Sequence, residues 1–169
     1  MVWYKHRTFR KTEEGDIPGV FLPAVINNIH HYLTLLAVYR DGMIDCWGLV
    51  TFDEFVAKAE CGWVTNAVPP GRTLGIHHLV SVTVTASEPA GTVDDLIKDV
   101  QSAIEELNGR PTAQERVVDA IKAFNAGDTP EARSAFRAAY ADLPCYYRTY
   151  VFGSRMEKHK DVQKLLDNE

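Results

Sequence analysis

A chain of 169 residues, 46% hydrophobic and 24% charged, has the make-up of an ordinary globular protein and is long enough to bury a core without a metal or a disulfide. Its net charge is −5; residues 1–87 carry 7 basic and 8 acidic side chains, and residues 88–169 carry 11 and 15. That balance argues against a nucleic-acid binder, and no run reaches the ~20 apolar residues of a membrane span.

Cys46, Cys61 and Cys145 are odd in number and share no CxxC spacing. The N-terminus is charged and aromatic rather than an apolar h-region, so no signal peptide is expected. A reducing, cytoplasmic setting follows, with the thiols packed as small hydrophobes.

Residues 2–11 alternate loosely and read as a strand. Lys5, Arg7, Arg10 and Lys11 stand there among Trp3, Tyr4 and Phe9. Such interleaving can bind a single nucleic-acid strand, but at a chain end it more often marks an edge strand guarded by charge. Gly19 to Ile26 is apolar and β-branched. Pro23 cannot donate to a ladder, which puts this strand at an edge or a bulge.

Two apolar runs joined by Asp41-Gly42, spanning Tyr32 to Val50, predict a hairpin with a two-residue type I′ turn. In that register Tyr39 faces Ile44 and Ala37 faces Cys46. Leu33, Leu35, Ala37, Ile44 and Cys46 then share the core face, while Asp45 and Trp47 lie on the other. Thr51 and Glu54 form a capping box for a helix that Gly62 stops, and Pro69-Pro70-Gly71 is a loop. Residues 73–86 give the clearest period-2 alternation, with Ile76, Val80 and Val82 on the apolar side that should meet the core.

From Thr92 the period becomes 3.6. Thr92, Thr112 and Thr129 are N-caps, Pro130 suits a first helical position, and Gly109 and Gly127 are stops. Residues 144–153 are aromatic and read as a short helix and turn, followed by a charged helix from Met156 to Leu166. The fold class expected is α+β: one domain over 1–169, with a mainly antiparallel sheet of about five strands and one short helix in 1–87. The helices of 88–169 are expected to pack on one face of that sheet.

Each candidate for chemistry has a plainer rival. His30-His31 and His77-His78 put neighbours on opposite faces of a strand, so neither pair chelates a metal by itself. No metal site and no cofactor are expected. Cys46 with a histidine could make a nucleophile, but a core-face thiol is inert. Asp45, beside Trp47, could orient a ligand or simply pair with Arg40. Tyr146, Tyr147 and Arg148 resemble a recognition patch, or else pack the last helices.

Ile17-Pro18-Gly19-Val20, Asp41-Gly42 with Ile44-Asp45-Cys46-Trp47, and Tyr150-Val151-x-Gly153 with Lys160-Asp161 make the chain resemble a group of small bacterial proteins carrying a domain of unknown function. The resemblance implies a bacterial, stand-alone cytoplasmic protein and carries over no catalytic residue. The function expected is non-enzymatic protein binding, of an immunity or adaptor type. The ligand- or partner-binding candidates are Asp45, Trp47, His77, Tyr146, Tyr147 and Arg148. The alternative is a small-molecule protein or enzyme with a pocket between sheet and helices, lined by Asp45, Trp47, His77 and Tyr147. The partner expected is another protein, with a small molecule or a second copy as alternatives; neither nucleic acid nor membrane is expected.

Overall fold

The computed structural model describes residues 6–76, 79–86 and 91–151, the side chains of 149–151 excepted. They form two compact units, which divide between Arg110 and Pro111. The fold is α+β, with the sheet in the N-terminal half and most of the helix C-terminal to it.

The first unit is built on a long antiparallel pair, β2 (Gly15–Asn28) and β3 (His30–Tyr39), in register from Gly19–Tyr39 to Asn28–His30. β1 (Arg7–Thr12) lies beyond β2, at the end of the sheet. This is the edge position expected for a strand rich in Arg and Lys. β4 (Ile44–Asp45) and β5 (Leu49–Val50) follow on the other side of β3. β6 (Val64–Thr65) pairs with β2 at Val25 and Ile26. Pro23 falls between the stretches of β2 that β1 and β6 cover, so its missing N–H breaks no ladder bond to either. β7 (Thr73–Ile76) runs parallel to β3, and β8 (Val80–Thr83) runs antiparallel to β7.

One sheet face is covered by helices. α1 (Phe52–Glu60) and α2 (Val93–Leu107) bring Phe55, Leu96, Val100 and Ala103 onto Val20, Leu22, Ala24, Ile26, Leu36, Val38, Ile44, Cys46 and Val64. Both helices start where local chemistry requires. Thr51 and Thr92 accept from the N–H of Glu54 and Asp95, whose carboxylates accept from the Thr N–H in return.

The hairpin reverses at Asp41-Gly42 as expected, but through a different turn. Only Gly42 of the loop has positive φ (+84°), Gly42 N–H donates to Tyr39 C=O (3.0 Å), and Tyr39 N–H donates to Met43 C=O (2.9 Å). The loop therefore has three residues, Arg40 to Gly42, of the type in which a left-handed glycine closes a bulge. That extra residue slips the register by one: Val38 pairs with Ile44 and Ala37 with Asp45. A slip of one exchanges the faces. Leu36 and Val38 enter the core, while Leu33 and Leu35 are exposed on the opposite face; Ala37 lies on that face too but is buried, as expected. Ile44 and Cys46 are buried as expected. Pairing Leu33 with Ile76, and Ile76 with Val80, places Ile76, Val80 and Val82 on that outer face too. These four (Leu35, Ile76, Val80 and Val82) do share one face, but it is not the helix-covered one; Val80 and Val82 are 48% and 43% exposed.

The second unit contains α3 (Ala113–Ala126), α4 (Pro130–Asp142) and α5 (Cys145–Val151). Thr112 and Thr129 are the N-caps and Pro130 opens α4. Val117, Phe136 and Leu143 are its fully buried centre, with Ile121, Tyr140 and Tyr147 against them. The helix expected over Met156 to Leu166 lies outside the described residues.

Candidate functional site

The feature that stands out is backbone geometry at two large apolar residues. Among the described residues, Ile29 (φ +63°) and Trp47 (φ +65°) are the non-glycine residues in the left-handed region. For a β-branched or bulky side chain that conformation is costly, about 1–2 kcal/mol.

Both have local causes. β2 and β3 pair as far as Asn28–His30, leaving Ile29 alone to turn the chain. Trp47 is in the turn between β4 and β5. There the Asp45 carboxylate accepts from Gly48 N–H (3.0 Å) and Cys46 N–H donates to Gly48 C=O (3.2 Å). Asp45 and Gly48 are the first and fourth residues of that turn, and its third position, held by Trp47, is the one with positive φ. Trp47 is thereby lifted out of the strand.

Both strained residues line one groove of about 620 Å³, with Asn28, His30, Tyr32, Leu33 and Thr34. Trp47 Nε1–H donates to Thr34 Oγ1 (3.3 Å), and its ring centroid is 5.3 Å from that of Tyr32. His30 meets the edge of Tyr32 at 6.4 Å. Gly75 lies under the Tyr32 ring, where a Cβ would stand 3.2 Å from Cδ1. Trp47 is 50% exposed and Ile29 91%. The groove is thus aromatic and lined by no Asp, Glu, Lys or Arg, with hydrogen-bonding groups on Asn28, His30 and Thr34.

The expected site residues fall in different places. Asp45 and Trp47 share a turn, but the Asp45 carboxylate closes it and Trp47 alone of the pair lines the groove. Asp45 stands opposite Ala37 in the ladder; it is Asp41 that pairs with a guanidinium, that of Arg10 at 2.5 Å. The Arg10 guanidinium also lies over the Tyr39 ring at 5.4 Å. Burial, then the negative charge of Asp45, raise the Tyr39 phenol above its ordinary range, against the opposing pull of Arg10. His77 lies outside the described residues.

Tyr146, Tyr147 and Arg148 belong to the helical unit. Tyr147 packs on its core, the rings of Tyr146 and Tyr147 meet at 4.7 Å, and Arg148 lies over Tyr140 at 4.7 Å. Arg148 Nε–H also donates to the Leu143 carbonyl (3.3 Å), a carbonyl that the end of α4 leaves unpaired. Packing accounts for these contacts.

Cys46 is 1% exposed, and burial pushes its thiol above the ordinary range, outweighing the opposing pull of Lys58. A neutral, inaccessible thiol is a poor nucleophile. Among the described residues no three of His, Cys, Asp and Glu converge to hold a metal ion, and no described helix is long and apolar enough to cross a membrane.

Sequence reasoning missed Ile29, His30, Tyr32 and Thr34 as a group. The available signal was the Asp45-x-x-Gly48 turn pattern, which removes Trp47 from strand alternation and turns it toward the even-numbered residues of β3.

No curated protein and no solved structure matches the chain. Family models match nearly all of it, and their boundary falls within a residue of the division between the compact units: one covers residues 7–111 and the other residues 112–168. The chain belongs to the family of the domain of unknown function DUF7638, followed by the domain of unknown function DUF7639.

Proposed function

We propose that this protein is a non-enzymatic binding module, an immunity- or adaptor-like partner of another protein in a bacterial cytoplasm, and that it binds through the Trp47 groove. The observation carrying this reading is the coincidence of strain and exposure: Ile29 and Trp47 hold costly backbone conformations and both put apolar side chains on one groove. Folding alone favours glycine or asparagine at such positions. Strain held in place by surrounding structure collects at ligand clamps and binding sites. Trp and Tyr are also the side chains that carry most energy at protein interfaces, through large rigid area with a polar tip.

The test is quantitative capture from cells of the source, comparing wild type with Trp47→Ala, Tyr32→Ala and a control at Arg133→Ala in the helical unit. The reading expects one protein held by wild type and by the control, with affinity reduced about thirtyfold or more in Trp47→Ala, the loss of a central aromatic anchor. A partner held equally by Trp47→Ala, or no partner at all, would refute it.

A further inference from the structure

β8 ends the sheet on its side. Among the described residues it pairs with β7 alone, and all 4 of its residues are exposed. Native edge strands are usually blunted by Lys, Pro or a bulge, because their free N–H and C=O groups are a template for another strand. Leu79 to Ala86 contains none of these: Leu79-Val80-Ser81-Val82-Thr83-Val84-Thr85-Ala86 has no charge and no proline. β1, at the other end, carries Arg7, Arg10 and Lys11. The two edges are guarded very differently.

We infer that β8 pairs antiparallel with β8 of a second copy of this chain, joining two sheets edge to edge. The sequence of the strand points to a copy of itself. Val84 N–H donates to the Arg72 carbonyl at 2.9 Å, so by alternation Val80, Val82 and Val84 turn their backbone groups to β7 while Ser81 and Thr83 turn theirs outward. A two-fold axis normal to the sheet through Val82 sets Ser81 opposite Thr83 of the second copy, and each such pair exchanges both backbone hydrogen bonds. Val82 then meets Val82, and Val80 meets Val84. Valine faces valine and hydroxyl faces hydroxyl, pairings that stabilise antiparallel strands.

Charge selects the same site. The chain carries −5, yet this edge brings no like charges together. The rotation also keeps each sheet's outer face on the same side, so the row Leu33, Ile76, Val80 of one copy runs into that of the other. A strand of 4 residues is short against the ~800 Å² per partner of a stable interface, so the dimer is weak, in the micromolar range. This inference does not depend on the Trp47 groove.

Sedimentation equilibrium of the full chain from micromolar to millimolar concentration tests it, with Val82→Lys and Val82→Glu alongside. Wild type is expected to pass from monomer to dimer. Each variant alone sets like charges together at the axis and is expected to weaken the dimer at least about tenfold. An equimolar mixture of the two variants, placing Lys opposite Glu, should recover a heterodimer, which a merely misfolded variant could not do. Wild type monomeric throughout would overturn the inference and leave β8 open to a strand of a different protein. A dimer indifferent to both substitutions, or a mixture no tighter than either variant alone, would overturn it as well.

Discussion

Replacing Ile29 by Asn should make the protein more stable while weakening its binding. The side chain is 91% exposed, so truncating it forfeits under a tenth of the ~1.5–3 kcal/mol that full burial of an isoleucine is worth, or less than about 0.3 kcal/mol. Against that small loss, its φ of +63° costs a Cβ-bearing residue about 1–2 kcal/mol, which asparagine largely escapes through local hydrogen bonding. The net expectation is a gain of about 1 kcal/mol. Urea titration should show the midpoint rise with an unchanged slope, and the thermal midpoint should move up by about 2–8 °C. Ile29→Gly should gain less, because glycine's greater freedom in the unfolded chain costs about 0.5–1 kcal/mol. Ile29→Ala should gain little, since alanine keeps the Cβ that the backbone crowds. The order Asn, Gly, Ala is therefore a signature of strain. A fall in stability for Asn, or equal gains for Asn and Ala, would refute the reasoning, as would a stabilised Asn variant that bound its partner as tightly as wild type.

Three further outcomes follow from geometry elsewhere. Gly19→Ala would put a Cβ 2.7 Å from both Tyr39 Cδ1 and the backbone oxygen of Val38, and the oxygen cannot retreat; a loss of about 1–3 kcal/mol is expected by chemical denaturation. Thr92→Ala removes the acceptor for Asp95 N–H and breaks the reciprocal box at the start of α2, so about 1–2 kcal/mol should be lost in the same assay. The raised thiol of Cys46 is protonated in the folded state at a pH where the unfolded thiol ionises. Its contribution is thus intact below the ordinary thiol pKa of about 8.5 and is lost as pH rises from there toward the folded value. Cys46→Ala should flatten that alkaline decline, and in the native protein a maleimide should modify exposed Cys61 well before Cys46.

What could be read in advance was local. Each helix start named from Thr51, Thr92, Thr112 and Thr129 is a cap in the structure, because a cap needs only the hydroxyl and the next three residues. The β4 strand was legible for the same reason: Ile44 and Cys46 have polar Asp45 between them, and parity alone assigns their face. β3 was not, because Leu33, Leu35 and Leu36 to Tyr39 offer apolar side chains at both parities. Its face then depended on whether Asp41-Gly42 made a loop of two residues or three, a matter of a single φ. The alternation of residues 73–86 misled in another way. It grouped Ile76, Val80 and Val82 correctly, but assigning the apolar face to the core assumes that every apolar face is buried, and Val80 and Val82 are exposed.

These errors are physically related to the sites argued above. The extra residue at Gly42 turns Leu36 and Val38 inward, and by the same parity it puts Tyr32 and Thr34 on the side where Trp47 can reach them. Leu33 and Leu35 lie on the opposite face, which direct pairing of β3 with β7 makes the face of Ile76, Val80 and Val82 as well. A two-residue loop would turn Ile44, and with it the turn that carries Trp47, to the face of Leu33 and Leu35, leaving Trp47 with no Thr34 hydroxyl to bond. Deleting Arg40, which restores a two-residue connection, should therefore do more than destabilise the hairpin. It should lose the Trp47–Thr34 bond and shift the Trp47 environment, giving red-shifted tryptophan emission at the cost of the whole β3 register. Unchanged emission and stability in that deletion would mean that loop length does not set how β4 faces β3, and the groove would need another explanation.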